Sequence, residues 1–169
     1  MISPCIWKPK VPSKEVFFAW TAALGKILTI DNLCMRKLWI LDWCYICKCS
    51  RESVDHLLLH CPIAVQLWSM VFTLFGLYWV MPKSVVDLLA CWQGKFGRHR
   101  NNISWMAVSP CLMWCIWLER NNWCFEDFER TVIDLKLLFF KTLLYWMSIV
   151  ENHSISSNYD LMNACNLCS

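Results

Sequence analysis

The chain has 169 residues, is 57% hydrophobic and carries twelve tryptophans and twelve cysteines, so it can bury a sizeable core as one domain or one and a half. Four glycines and six prolines favour helices over an all-β fold, and a net charge of +3 supports only weak attraction to phosphates. The first ten residues hold two prolines and no apolar core of signal-peptide length. The cysteines are therefore read as reduced thiols and metal ligands in a nuclear or cytoplasmic protein, not a secreted disulfide framework.

The charge is uneven. Residues 1–61 carry eight Lys/Arg against five Asp/Glu, while residues 62–169 carry eight of each. Prolines at 4, 9 and 12 make the opening extended. Ser13 is placed to cap a helix over 14–24, with Phe17, Trp20, Ala23 and Leu24 on one face and Gly25 as its stop. Thr29 is placed to cap a second helix that turns Leu33 inward and ends in Arg36 and Lys37. Two cations there suit the negative end of a helix dipole. A solvated helix end is the plain reading of that pair, and a phosphate contact the sharper one.

Next comes Cys44, Cys47, His56 and Cys61, spaced C-x2-C-x8-H-x4-C. Three thiolates and an imidazole suit tetrahedral zinc, and two cysteines three apart can wrap a tight turn around one ion. His56 and Cys61 close the site across a polar loop, residues 48–53. So short a loop holds no core of its own, and metal would supply much of its folding free energy, on the order of 10 kcal/mol. Cys49 competes with Cys47 as second choice, and His60 reads as a helix-end side chain before it reads as a ligand. The pair Cys165 and Cys168 has no histidine nearby, and Cys111 and Cys115 have no further ligands in view.

A short helix is expected over 54–60, and a longer one over 62–80 that opens on Pro62 and buries Leu67, Trp68, Val71, Phe72 and Phe75. Residues 62–82 contain no charged side chain and reach the roughly 20 residues that cross a bilayer. Gln66, Ser69 and Thr73 within it, and the metal ligand before it, favour a buried helix over a membrane span. A helix over 84–92 follows, then a loop with a basic cluster, Lys95, Arg98 and Arg100. A helix over 103–125 should be kinked or split by Pro110. Its Trp114, Trp117 and Leu118 read as core. A last amphipathic helix spans 129–150, and a polar, frayed tail spans 151–169.

The order of these pieces resembles the zinc-binding domain at the end of plant non-LTR retrotransposon reverse transcriptases. The residues that carry the resemblance are Ile6-Trp7-Lys8, Val11 to Lys14 with Phe17 to Trp20, Leu28 to Leu33, the cysteine pair, Glu52 to Leu57, His60-Cys61-Pro62 and Trp68. Trp114, Trp117 and Glu119 to Asn122 are similar to the segment that follows that domain. Cys49 stands where a Gly-like turn residue is common in the family, and the basic residue after Leu33 is displaced to Arg36.

The resemblance implies an all-α domain over residues 1–80 organised around a Cys3His loop with one structural zinc, then long apolar helices as an extension over 81–150. It implies RNA or DNA as partner, beside a polymerase domain or another protein. Arg36, Lys37, Lys48 and Arg51 are the residues chosen for phosphate contacts. No strand-flanked pair of aspartates, nucleophile elbow or glycine-rich phosphate loop occurs. The expectation is therefore a non-catalytic binding module. Two other readings compete with it: a protein-interaction remnant with exposed apolar helices, and a membrane-associated protein using residues 62–82.

Overall fold

The structure, a computed structural model, describes residues 12–38, 43–94 and 103–166. Among them are six α-helices and no strand. The helices are α1 (Ser13–Ala23), α2 (Ile30–Met35), α3 (Pro62–Leu74), α4 (Val85–Gly94), α5 (Ile103–Phe125) and α6 (Val132–Asn166). A π-helical turn, His56–His60, precedes α3.

Helix α5 is the centre. Helices α1, α3, α4 and α6 and the π-helical turn all pack on it. Its Trp105, Ala107, Val108, Cys111, Leu112, Met113, Cys115 and Ile116 are buried, so it presents apolar side chains in nearly every direction. A helix enclosed on most sides needs that pattern, whereas a surface helix needs one stripe. Phe18 of α1 packs its ring 5.3 Å from Trp114 and 5.7 Å from Trp117. Trp105 stacks on Trp92 of α4 at 4.1 Å, and Trp92 meets Trp68 of α3 edge-on at 5.8 Å. Trp68, Trp105 and Trp146 are fully buried, while Trp20 and Trp43 are exposed. Pro110 lies within α5, which runs continuously past it and is not split.

The helix ends follow from local chemistry. Gly25 adopts φ 66°, and the Gly25 and Lys26 N–H groups donate to the carbonyls of Ala22 and Thr21, closing α1 as expected. Gly76 does the same for α3 at φ 63°, with Gly76 and Leu77 N–H donating to Thr73 and Phe72. That stop corrects two expectations. The helix expected over 62–80 ends at Leu74, and the membrane span over 62–82 is a 13-residue helix followed by non-helical chain. Among the described residues no helix is long and apolar enough to cross a membrane. The apolar run continues on both sides of Gly76, yet a left-handed glycine terminates a helix whatever its neighbours' hydropathy.

Other starts differ in detail. Pro12 stands at the N-cap of α1, leaving Ser13 as the first helical residue without a side-chain cap. Thr29 holds the N-cap position of α2, but it is the Asp31 carboxylate that accepts from the Asn32 N–H at 2.8 Å. Thr131 and Asp134 exchange bonds in a capping box, which starts α6 at Val132 and not at 129. Helix α6 then continues to Asn166, through the segment expected to fray. The extended stretch expected near the N-terminus lies almost wholly outside the described residues, as do Lys95, Arg98 and Arg100.

Candidate metal centre

The loop between α2 and α3 folds around polar groups. The Cys44 N–H donates to Ser50 O at 2.7 Å, and the Lys48 N–H donates back to Cys44 O at 2.8 Å. These bonds close a turn over residues 45–47 that sets Cys44 and Cys47 side by side. Lys48 takes the left-handed conformation, φ 56°, that the turn demands. The left-handed position of this turn is thus Lys48, one residue before Cys49, and its side chain accepts some strain.

Ser53 Oγ accepts from the His56 N–H at 3.1 Å and starts the next segment. There the backbone widens, and the Cys61 N–H donates to His56 O five residues back at 2.6 Å. An α-helix turns about 100° per residue and would hold positions five apart on divergent sides; a π turn brings them nearer one side. The widening therefore aims His56 and Cys61 at one point. Pro62 then opens α3 at its first position, where a missing N–H costs nothing.

The result is one cluster. A donor atom from each of Cys44, Cys47, His56 and Cys61 lies within 4.8 Å of the others. His56 Nε2 is 3.4 Å from Cys47 Sγ. Four donors around zinc at bond lengths of about 2.0–2.3 Å stand roughly 3.5–4 Å apart, so the set fits a single tetrahedral ion with little movement. Cys44 and Cys61 are fully buried, while Cys47 and His56 are half-buried. A hydrogen bond to Cys61 and then burial push the Cys44 thiol far up, against the backbone N–H groups of Cys47 and Ile46. Cys61 moves down, through that Cys44 bond first and also through the N–H groups of Ile63 and Ala64 at the start of α3. Burial holds the His56 imidazole below the usual histidine range, which keeps it in its neutral, ligating form.

Both local rivals point elsewhere. Cys49 is exposed and its thiol donates to Cys47 O at 2.9 Å. His60 is exposed and its Nε2 sits 3.1 Å from Lys83 O. Cys111 and Cys115 are buried one turn apart in α5 and are not joined by a third donor among the described residues. The Cys165 and Cys168 side chains lie outside what the structure describes.

Glu52 is the residue that sequence reasoning missed. It is fully buried inside the polar loop, and its Oε1 accepts from the Ile30 N–H at 2.9 Å and from Arg120 Nε and Nη2 at 3.2 and 3.1 Å. Its Oε2 accepts from the Tyr45 N–H at 3.3 Å. One carboxylate thus joins the start of α2, the cysteine turn and α5. Arg120, itself 2% exposed, also lies under the rings of Tyr45 and Trp117 at 5.5 and 5.3 Å. A signal existed in the sequence: Arg120 follows Glu119 inside an otherwise apolar, tryptophan-rich helix, where a charge needs a partner. Glu119 finds its own, Arg130, at 2.8 Å.

The four basic residues chosen for phosphate contacts are all exposed. Arg36 and Lys37 end α2, and Lys48 and Arg51 stand on the metal loop. Lys48 Nζ lies 4.0 Å over the Trp123 ring of α5, so it is already held by a cation–π contact.

Comparison with known proteins agrees with this geometry. Residues 1–68 match the family described as "zinc-binding in reverse transcriptase". An Arabidopsis thaliana protein named "Putative ribonuclease H protein" is 26% identical over 115 residues, a match covering 67% of this chain and 18% of that relative. The match thus spans less than a fifth of that protein's length. No solved structure matches the chain. The Cys3His cluster able to hold one zinc ion therefore lies within the segment, residues 1–68, that matches the reverse-transcriptase zinc-binding family.

Proposed function

We propose that Cys44, Cys47, His56 and Cys61 bind one structural zinc ion, and that the module they rigidify is a non-catalytic, nucleic-acid-binding part of a retroelement-derived reverse transcriptase. The observation that carries the reading is the convergence of four protein donors on one point. Four protein ligands complete a tetrahedron and leave no position for a reacting water. The ion's work is mechanical. It fixes residues 44–61 against α3 and α5, and so fixes where the loop's cations point.

RNA or DNA template is the partner this arrangement suits. Lys48 and Arg51 on the loop, with Arg36 and Lys37 at the end of α2, supply the phosphate contacts. Few contacts mean modest affinity and a shallow salt dependence. Each phosphate neutralised contributes a slope of about −0.9 on duplex DNA or −0.7 on single strands. Filter binding of the zinc-loaded chain to single-stranded RNA, single-stranded DNA and duplex DNA tests this. Affinity should fall with salt, and Arg51→Ala should make the slope shallower by about one contact. Affinity without salt dependence, or none at all, would remove nucleic acid as partner and leave the zinc reading intact.

A further inference from the structure

Helix α6 carries two apolar stripes on opposite sides. At about 100° per residue, Leu135, Phe139 and Trp146 share one side; each is 2% exposed, and this side packs against α5. Ile133, Leu137, Phe140 and Leu144 share the other, where they are 70%, 51%, 37% and 70% exposed. Scattered exposed apolar residues need no explanation, but four in line along one helix mark a contact surface. Their spacing of four, three and four residues is that of a helix-pairing seam. Beside them lies a hollow of about 400 Å³, lined in part by Phe128, Leu137 and Lys141.

The charges flanking the stripe select an occupant. Asp134 and Lys141 lie along one edge, and Lys136 lies along the other. Two copies of α6 laid antiparallel about a two-fold axis would set Ile133 against Leu144 of the partner subunit, and Leu137 against Phe140 of the partner subunit. Asp134 would then face Lys141 of the partner subunit, and symmetry repeats the pair. Parallel, in-register pairing would set Lys136 against Lys141 of the partner subunit, a like-charge contact. The surface is thus complementary to itself in one orientation and repulsive in the other. We propose that the outer face of α6 is an interface for antiparallel pairing with a second copy of this chain. This rests on α6 alone and is independent of the zinc and nucleic-acid readings.

Sedimentation equilibrium of the full, zinc-loaded chain over micromolar concentrations tests it. The mass should approach twice the 20.0 kDa of the chain. Leu137→Glu should return it to a single chain mass with unchanged helical signal, because Leu137 is half exposed and not part of the core. Lys141→Glu, which turns two attractions into two repulsions, should weaken pairing by about tenfold. Lys136→Glu should leave it unchanged. A single chain mass throughout would overturn the proposal and assign the stripe to another occupant, such as the remainder of a longer protein. A dimer indifferent to Leu137→Glu, or one tightened by Lys136→Glu, would equally overturn it.

Discussion

The cysteine loop and the α5–α6 pair are stabilised in opposite ways. Along residues 43–53 only Cys44 and Glu52 are buried, and each is held by directional chemistry. Over a similar length, residues 105–116 of α5 bury eight apolar side chains. Apolar burial is additive and tolerant, contributing roughly 25 cal/mol per Å² wherever surface leaves water. The loop's interactions are few, mutually dependent and intolerant. Losing one of its groups should disable the whole, whereas losing one from α5 or α6 should subtract its own share.

The strongest way to break that contrast is to remove a loop ligand. Cys44→Ser should abolish zinc binding and with it a stabilisation on the order of 10 kcal/mol, read as loss of metal stoichiometry and of the cooperative thermal transition. Next comes Arg120→Ala, which strands the buried Glu52 carboxylate and should cost about 3–5 kcal/mol in denaturant unfolding. The paired change Glu52→Gln with Arg120→Met should cost clearly less, because no charge is left uncompensated. Leu135→Ala, within the apolar α5–α6 contact, should cost about 2–5 kcal/mol while leaving zinc stoichiometry at one. If Leu135→Ala released zinc, or if Arg120→Ala were harmless, the two regions would not differ as described.

Acid should sharpen the contrast further. Burial lowers the His56 value in the folded chain, so the neutral ring is favoured by folding. That contribution is complete above the unfolded value of about 6.5 and is lost as pH falls through the lower folded value. Zinc release followed with a chromophoric chelator should therefore increase as pH falls, with protons taken up by His56 and the three thiolates, and zinc held unchanged down to about pH 3 would contradict a Cys3His site. The smallest effect belongs to Lys37, which closes α2 at φ 57° with its N–H donating to Cys34 O. Lys37→Gly should relieve that left-handed strain and raise unfolding free energy by up to about 1 kcal/mol.

These differences also explain what could be read from the residues alone. Cys44, Cys47, His56 and Cys61 were legible because their spacing is local and zinc's needs are strict. The burial of Leu67, Trp68, Val71 and Phe72 was legible from helical periodicity, whereas Phe75, expected with them, lies past the end of α3 and is only half-buried. The bond between Glu52 and Arg120 was not legible, because 68 residues separate them: the apolar surroundings of Arg120 call for a partner without naming it, and Glu52 looks locally like a solvated charge. The end of α3 was visible in Gly76 but masked by apolar residues on both sides of it. The outer stripe of α6 was hidden because its apolar positions interleave with those facing α5. Only the structure shows which of the two faces is covered.

The central claim is that three sulfurs and one imidazole nitrogen surround a single ion. X-ray absorption at the zinc edge of the purified chain tests it most directly. The account predicts one zinc per chain with three sulfur neighbours at about 2.3 Å and one nitrogen at about 2.0 Å. In a His56→Ala variant the nitrogen shell should vanish or be replaced by water oxygen. A four-sulfur shell, which would bring in Cys49, or a shell dominated by oxygen would contradict it.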